Sequence, residues 1–112
     1  MAGMLYLVPT PIGNLGDISK RARETLESAD FIAAEDTRVT LKLLNHLELK
    51  KPLVSYYEHN KSFKGEKILD RILSGETCAL VSDAGSPAIS DPGEDLVKQC
   101  AAAGITVCAI PG

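Results

Sequence analysis

Short runs of apolar residues alternate along this chain with longer stretches in which apolar positions recur every three or four residues. The short runs read as strands over Met4 to Val8, Phe31 to Ala34, Leu53 to Tyr57, Thr77 to Ser82 and Ile105 to Ile110. The stretches between them read as helices. The first follows Asp17, with Ile18, Ala22, Leu26 and Ala29 on one face. The second starts near Thr37 and points Leu41, Leu44 and Leu47 inward. The third starts near Ser62, carries Ile68, Leu69, Ile72 and Leu73, and stops at Gly75. The fourth opens with Asp91 as N-cap, Pro92 at its first position and Glu94 at its third. It runs through Leu96, Val97, Cys100 and Ala101 to a stop at Gly104. Strict alternation predicts an α/β fold: a five-stranded, mostly parallel sheet with helices on both faces and right-handed crossovers. The pattern leaves the strand order open.

Composition narrows this picture. A chain of 112 residues makes one domain with room for a core, and a hydrophobic fraction of 45% fits a folded globular chain. Trp is absent and aromatics make up 4%, so the core is expected to be aliphatic. No window holds 18 consecutive apolar residues, so no membrane span is expected. No basic region followed by a long apolar stretch opens the chain, so no signal peptide is expected and a cytoplasmic location follows. Met1-Ala2-Gly3 reads either as native or as a cloning remnant before a native Met4. Cys78, Cys100 and Cys108 lack CxxC spacing and read as small buried hydrophobes of a reducing compartment. No ligand cluster surrounds the two His residues, so no metal is expected. The net charge of −3 has the wrong sign for a domain that grips nucleic acid unaided. Any nucleic-acid substrate should find most of its grip elsewhere. The chain stops at Pro111-Gly112, just after a strand, as a fragment of a longer protein would.

The unusual segments fall on one edge of the predicted sheet. Pro9 to Asp17, Glu35 to Arg38, Glu58 to Lys61, Ser82 to Asp91 and Pro111-Gly112 each follow a strand, while plain connections precede the strands. A ligand site outside the carboxyl ends of the strands has this distribution. Plain structural roles compete at each position. Asp17, Thr37 and Asp91 can be helix caps, and Glu35 and Asp36 can simply favour a helix dipole. Tyr56, Tyr57 and His59 can be ordinary strand-end residues. Arg38 is out of place near a helix N-terminus, so it is expected to face an anion or to pair with Glu35 or Asp36. The loop Asp83-Ala84-Gly85-Ser86-Pro87 is longer and richer in small residues than a tight turn needs, which suits close approach of a ligand to the backbone. Neither GxxxxGKS/T nor GxGxxG is present, so this is neither a P-loop nor the usual dinucleotide site.

Four segments carry a resemblance. These are Leu5 to Ile18 (LYLVPTPIGNLGDI), Ala34 to Arg38 (AEDTR), Ser55 to Asn60 (SYYEHN) and Val81 to Gly93 (VSDAGSPAISDPG). Together they resemble the tetrapyrrole-methylase superfamily, and more narrowly its branch acting on small-subunit ribosomal RNA. The resemblance covers essentially the whole chain. It implies an S-adenosylmethionine (SAM)-dependent enzyme that methylates the ribose 2′-oxygen of a cytidine in the decoding region of 16S rRNA. It also implies a two-domain protein with SAM in the cleft, of which residues 1–112 form the N-terminal α/β domain. Such a fragment is expected to hold half a cofactor site and to be inactive alone. Carried over by position, Ile12, with Gly13 beside it, falls at a backbone contact to SAM. Asp83 and Ser86 fall where the amino-acid end of SAM is held, and Ala84, Gly85 and Pro87 shape that loop. Ser86 stands where many members have Thr, which keeps the hydroxyl.

A ribose hydroxyl needs a general base. Glu35, Asp36, Glu58 and His59 are candidates by their place on the same edge, with Glu35 or Asp36 preferred and Arg38 as a phosphate contact. The expected partners are 16S rRNA or the small ribosomal subunit, and a second copy in a homodimer. Two alternatives stand beside this reading. One is a methylase of the same superfamily acting on a tetrapyrrole or a protein side chain. The other is a non-catalytic module for small-molecule binding or oligomerisation.

Overall fold

The computed structural model describes residues 2–11, 14–82 and 91–111. Strands β1 (Met4–Pro9), β2 (Phe31–Ala34), β3 (Leu53–Ser55), β4 (Cys78–Ser82) and β5 (Thr106–Ala109) alternate with helices α1 (Lys20–Ser28), α2 (Thr37–His46), α3 (Lys61–Leu73) and α4 (Asp91–Ala102). A 3-10 turn over Leu15–Asp17 precedes α1. The expected architecture is the one observed, with β2 spanning the predicted residues.

The strands form one sheet in the order β3-β2-β4-β1-β5, and every pairing is parallel. Successive side chains of each strand alternate between two apolar layers. Val8, Ile32, Ala34, Ala79 and Val81 face α1 and α2, meeting Ala22, Leu26, Leu43, Leu44 and Leu47. Leu5, Phe31, Ala33, Cys78 and Leu80 face α3 and α4, meeting Ile68, Ile72, Leu96 and Cys100. A sheet covered on both faces explains why the strands read as unbroken apolar runs. The chain moves toward β3 through α1 and α2, then back toward β5 through α3 and α4. Its reversal of direction coincides with the change of face, so all four crossovers share one hand.

The differences from the expected elements have local causes. Ser19 caps α1, its hydroxyl accepting from the Ala22 N–H at 3.1 Å, while Asp17 lies in the 3-10 turn. Asp36, one residue before Thr37, caps α2. Leu41 is 49% exposed, because the inner face of α2 centres on Thr40, Leu43, Leu44 and Leu47 and leaves it one step outside. Leu73, in the last turn of α3, is also exposed. The helix stops at Gly75 and Gly104 hold: both glycines have positive φ, 114° and 79°. The side chain of Asp91 lies outside the described residues, so its proposed capping role does too.

Paired groups close the amino-terminal edge of the sheet. Arg71 makes two hydrogen bonds to Glu76, at 2.8 and 2.9 Å, and its guanidinium sits 3.7 Å over the ring of buried Phe31. Asp30 accepts from the Thr77 N–H at 2.7 Å, and the Lys51 ammonium donates to the Ala29 carbonyl at 2.8 Å. Gly3 donates its N–H to the Ile72 carbonyl at 2.8 Å, and a Cβ there would lie 1.8 Å from the Glu76 carbonyl oxygen. That position therefore requires glycine.

Cys78 and Cys100 are buried, Cys108 is half-buried, and all are free thiols. Burial pushes the Cys100 thiol up to about 11 and Cys78 higher still. Both behave as the small hydrophobes expected of them.

Candidate functional site

Parallel pairing puts the carboxyl ends of all the strands on one edge, with Pro9 beside Ser82, Val81 beside Ala34 and Ala34 beside Ser55. From there the chain leaves β1 and β2 toward one face and β4 toward the other. Connections that diverge from neighbouring strands open a crevice between them, the usual place for a ligand in an open α/β sheet. Thr10, which the sequence did not single out, ties the ends of β1 and β4 together at that edge. Its N–H and its hydroxyl both donate to the Ser82 carbonyl, at 3.0 and 2.8 Å, and the residue is buried. Ile12, Gly13, Asp83, Ala84, Gly85, Ser86 and Pro87 lie outside the described residues.

Glu35, Asp36 and Arg38 stand together where β2 turns into α2. The Asp36 carboxylate accepts from the Arg38 N–H at 3.0 Å and the Val39 N–H at 3.4 Å, and from the Arg38 guanidinium at 3.4 Å. Burial tends to raise this carboxyl, but the Arg38 and Val39 hydrogen bonds together outweigh that and hold it below the usual carboxylate range. Arg38 thus pairs with Asp36, one of the anions expected for it, while its own side chain stays 91% exposed. Glu35 is exposed and makes no ion pair among the described residues.

The turn after β3 is built around Asn60. Its side-chain oxygen accepts from the Tyr57 N–H at 2.7 Å, and its amide donates to the Ser55 carbonyl at 3.0 Å. Glu58 and His59 ride on this turn. Glu58 pairs with Lys61 at 3.1 Å, and exposed His59 meets the Tyr57 ring edge-on at 6.4 Å. Lys61 also reaches Asp95 in the first turns of α4 at 2.5 Å. Hydrogen bonds to Asp95 and then Glu58 hold the Lys61 ammonium well above its ordinary value, and the Lys61 bond lowers Asp95.

Tyr56 is fully buried, and its hydroxyl donates to the Pro92 carbonyl at 2.6 Å. Burial first, then the nearby Asp95 charge, push its hydroxyl up to about 12. Tyr56 and Lys61 together fasten the start of α4 to the end of β3. The sequence marked Tyr56 only as a strand-end residue and Lys61 only as the last residue of the Glu58 to Lys61 segment. It gave no signal for Asp95, because the Tyr56–Pro92 and Lys61–Asp95 pairs are each more than thirty positions apart.

Among the described residues, no group of three or more His, Cys, Asp or Glu side chains is placed to hold a metal ion, and no helix is long and apolar enough to cross a membrane.

A parallel sheet covered on both faces defines an open α/β domain, the class whose ligands sit outside the carboxyl ends of the strands, and comparison with known proteins makes the class specific. The sequence profile described as Tetrapyrrole (Corrin/Porphyrin) Methylases matches residues 4–112, so the chain belongs to that family. Three similar curated relatives share the name ribosomal RNA small subunit methyltransferase I. The protein from Halalkalibacterium halodurans is 59% identical over 98% of this chain and 38% of its own length. That from Bacillus subtilis is 57% identical over the same shares, 98% and 38%. That from Escherichia coli O157:H7 is 52% identical, again over 98% and 38%. The chain therefore spans about two fifths of the length of these relatives. Among solved structures, a diphthine synthase superposes with a TM-score of 0.77 at 16% identity, over 98% of this chain and 44% of that one. A uroporphyrin III C-methyltransferase from Thermus thermophilus gives 0.76 at 18% identity, over 98% and 48%. At such identities these two likenesses speak for the fold alone.

Proposed function

We propose that this chain is the first α/β half of a two-domain, SAM-dependent methyltransferase that modifies the ribose 2′-oxygen of a cytidine in the decoding region of 16S rRNA. The name shared by the curated relatives supports the reaction class, and their greater length supports a second domain. The observation that carries the reading is the convergence of the β1, β2 and β4 ends on one edge of the sheet, with Thr10 bridged to Ser82. The family resemblance further supports a cytoplasmic homodimer acting on the small ribosomal subunit.

Bound SAM would supply an activated methyl group, in line with the attacking oxygen. The residues proposed to hold it are Ile12 and Gly13 after β1, and Asp83 and Ser86 after β4 at its amino-acid end, in a loop shaped by Ala84, Gly85 and Pro87. The chain's other task is the 2′-hydroxyl proton, for which a placed base contributes about 10²–10⁴-fold. Glu35 is the better base. Its carboxylate has no ion pair among the described residues, whereas that of Asp36 caps α2 and is held low by its hydrogen bonds. Asp36 then sets the start of α2, and Arg38 contacts a substrate phosphate. Glu58 and His59 are the remaining base candidates, and Glu58 is engaged by Lys61. With one half of the cleft, this chain alone is proposed to be inactive.

Steady-state kinetics of a full-length protein carrying Glu35→Gln tests the assignment. The expected result is kcat reduced at least a hundredfold with SAM affinity unchanged. Unaltered kcat removes Glu35 from the role.

A further inference from the structure

The outer face of α2 carries a charge pattern that the fold does not use. Arg38, Lys42 and His46 stand at i, i+4 and i+8, in one row along the exposed side, and Lys50 follows just beyond the helix. Two helical turns make that row about 12 Å long. No Asp or Glu occurs between Thr37 and Leu47, whereas α1, α3 and α4 each mix both signs. From Thr37 to Lys51, four cations (Arg38, Lys42, Lys50 and Lys51) face one carboxylate, Glu48, within a chain of net charge −3. Lys51 is spent on the Ala29 carbonyl. Lys42, His46 and Lys50 are exposed and form no ion pair among the described residues, and Arg38 meets only Asp36, at 3.4 Å.

A cavity of about 390 Å³ opens beside this row, between α2 and the segment before β3. Leu41, Leu44 and Leu49 give it apolar walls, and Asn45 and Lys50 stand among its lining residues. Exposed Leu41 therefore has a place in this surface although it is absent from the core. Phosphate-spaced cations beside an apolar, amide-bearing hollow suit single-stranded RNA, whose bases unstack against protein and are read along their edges by polar side chains. The row begins at Arg38, so a strand lying along it reaches the edge that carries Glu35.

We infer that the outer face of α2 is an RNA docking track, in which Arg38, Lys42 and Lys50 take phosphates and the Asn45 cavity takes an unstacked base. This rests on the reading of the substrate as RNA and adds where the strand lies. It also gives an acidic domain a local surface without negative charge for an RNA substrate, because α2 holds Arg38 and Lys42 and no Asp or Glu.

Fluorescence anisotropy of this chain with a fluorescein-labelled single-stranded RNA, from about 50 to 200 mM salt, tests the track. The double variant Lys42→Gln/Lys50→Gln should flatten the slope of log K against log salt by about 1.4, near 0.7 for each lost phosphate contact. Lys64→Gln/Lys98→Gln removes the same charge from the opposite face and should leave the slope unchanged. Asn45→Ala should weaken binding several-fold at constant slope. Equal effects of the two double variants, or no RNA binding by the parent chain, overturn the inference. So does an α2 double variant that binds RNA normally but sediments differently, which assigns the face to contact between protein copies. Each contrary result leaves the methyl-transfer reading in place, because that reading is tested by methyl transfer to the small subunit.

Discussion

The hydroxyl of Tyr56, at the end of β3, donates to the carbonyl of Pro92, in the first turn of α4, across 2.6 Å of buried space. This bond joins the turn carrying Glu58 and His59 to the helix that follows β4, beside the Lys61–Asp95 ion pair that spans the same elements. Tyr56→Phe should cost about 1–3 kcal/mol, since the buried carbonyl loses its partner. The hydroxyl is raised to about 12 in the fold, above the ordinary value of 10.0. Its contribution is therefore fully present below pH 10 and is lost as pH rises toward 12. Urea titrations across that range should show the parent losing stability and Tyr56→Phe lacking that component. Parallel pH profiles would contradict the raised hydroxyl, and an unchanged stability of Tyr56→Phe at neutral pH would rule the bond out as a stabilising link.

Thr40 makes the opposite case. It is 1% exposed in the first turns of α2, and its hydroxyl has no hydrogen-bond partner among the described residues. An orphaned buried hydroxyl is a cost, so Thr40→Val should stabilise the chain by about 1 kcal/mol. In a domain of this size that raises the melting temperature by about 4–8 °C. Calorimetry showing a lower melting temperature would mean that the hydroxyl has a partner in solution.

The thiols should react in an order set by burial. Ellman's reagent at neutral pH should modify half-buried Cys108 first. Cys78 and Cys100, buried and with raised pKa values, should react only with added denaturant. Rapid modification of all three in the native protein would contradict the packing described.

Asp36 and Glu35 should separate stability from chemistry. Asp36→Ala removes the cap of α2 and should lower the melting temperature, whereas Glu35→Gln should leave it unchanged. Thermal unfolding of both variants reads this directly. A large loss of stability in Glu35→Gln would make that residue structural.

The sequence revealed whatever depends on local periodicity. Phe31 to Ala34 is fully buried and so reads as a strand from its apolar run alone. The same alternation of strand and helix sends every strand-end loop to one edge, which is why Glu35, Arg38 and His59 could be grouped before any strand was placed beside another. Leu41 misled because spacings of three and four place several residues near a helix's inner face, and only the packing of Leu43 and Leu44 decides where that face is centred. Thr10 with Ser82, Tyr56 with Pro92 and Lys61 with Asp95 could not be read, because each pair is brought together by the order β3-β2-β4-β1-β5. Local pattern does not encode that order.

The proposed reaction is tested most directly by methyl transfer. A protein completed to the length of its relatives should move tritiated methyl from SAM onto unmodified small ribosomal subunits. Primer extension at low nucleotide concentration should then stop at one cytidine of 16S rRNA, the mark of a 2′-O-methyl group. Label appearing on a porphyrinoid or a protein side chain, with none on the RNA, would contradict the proposal.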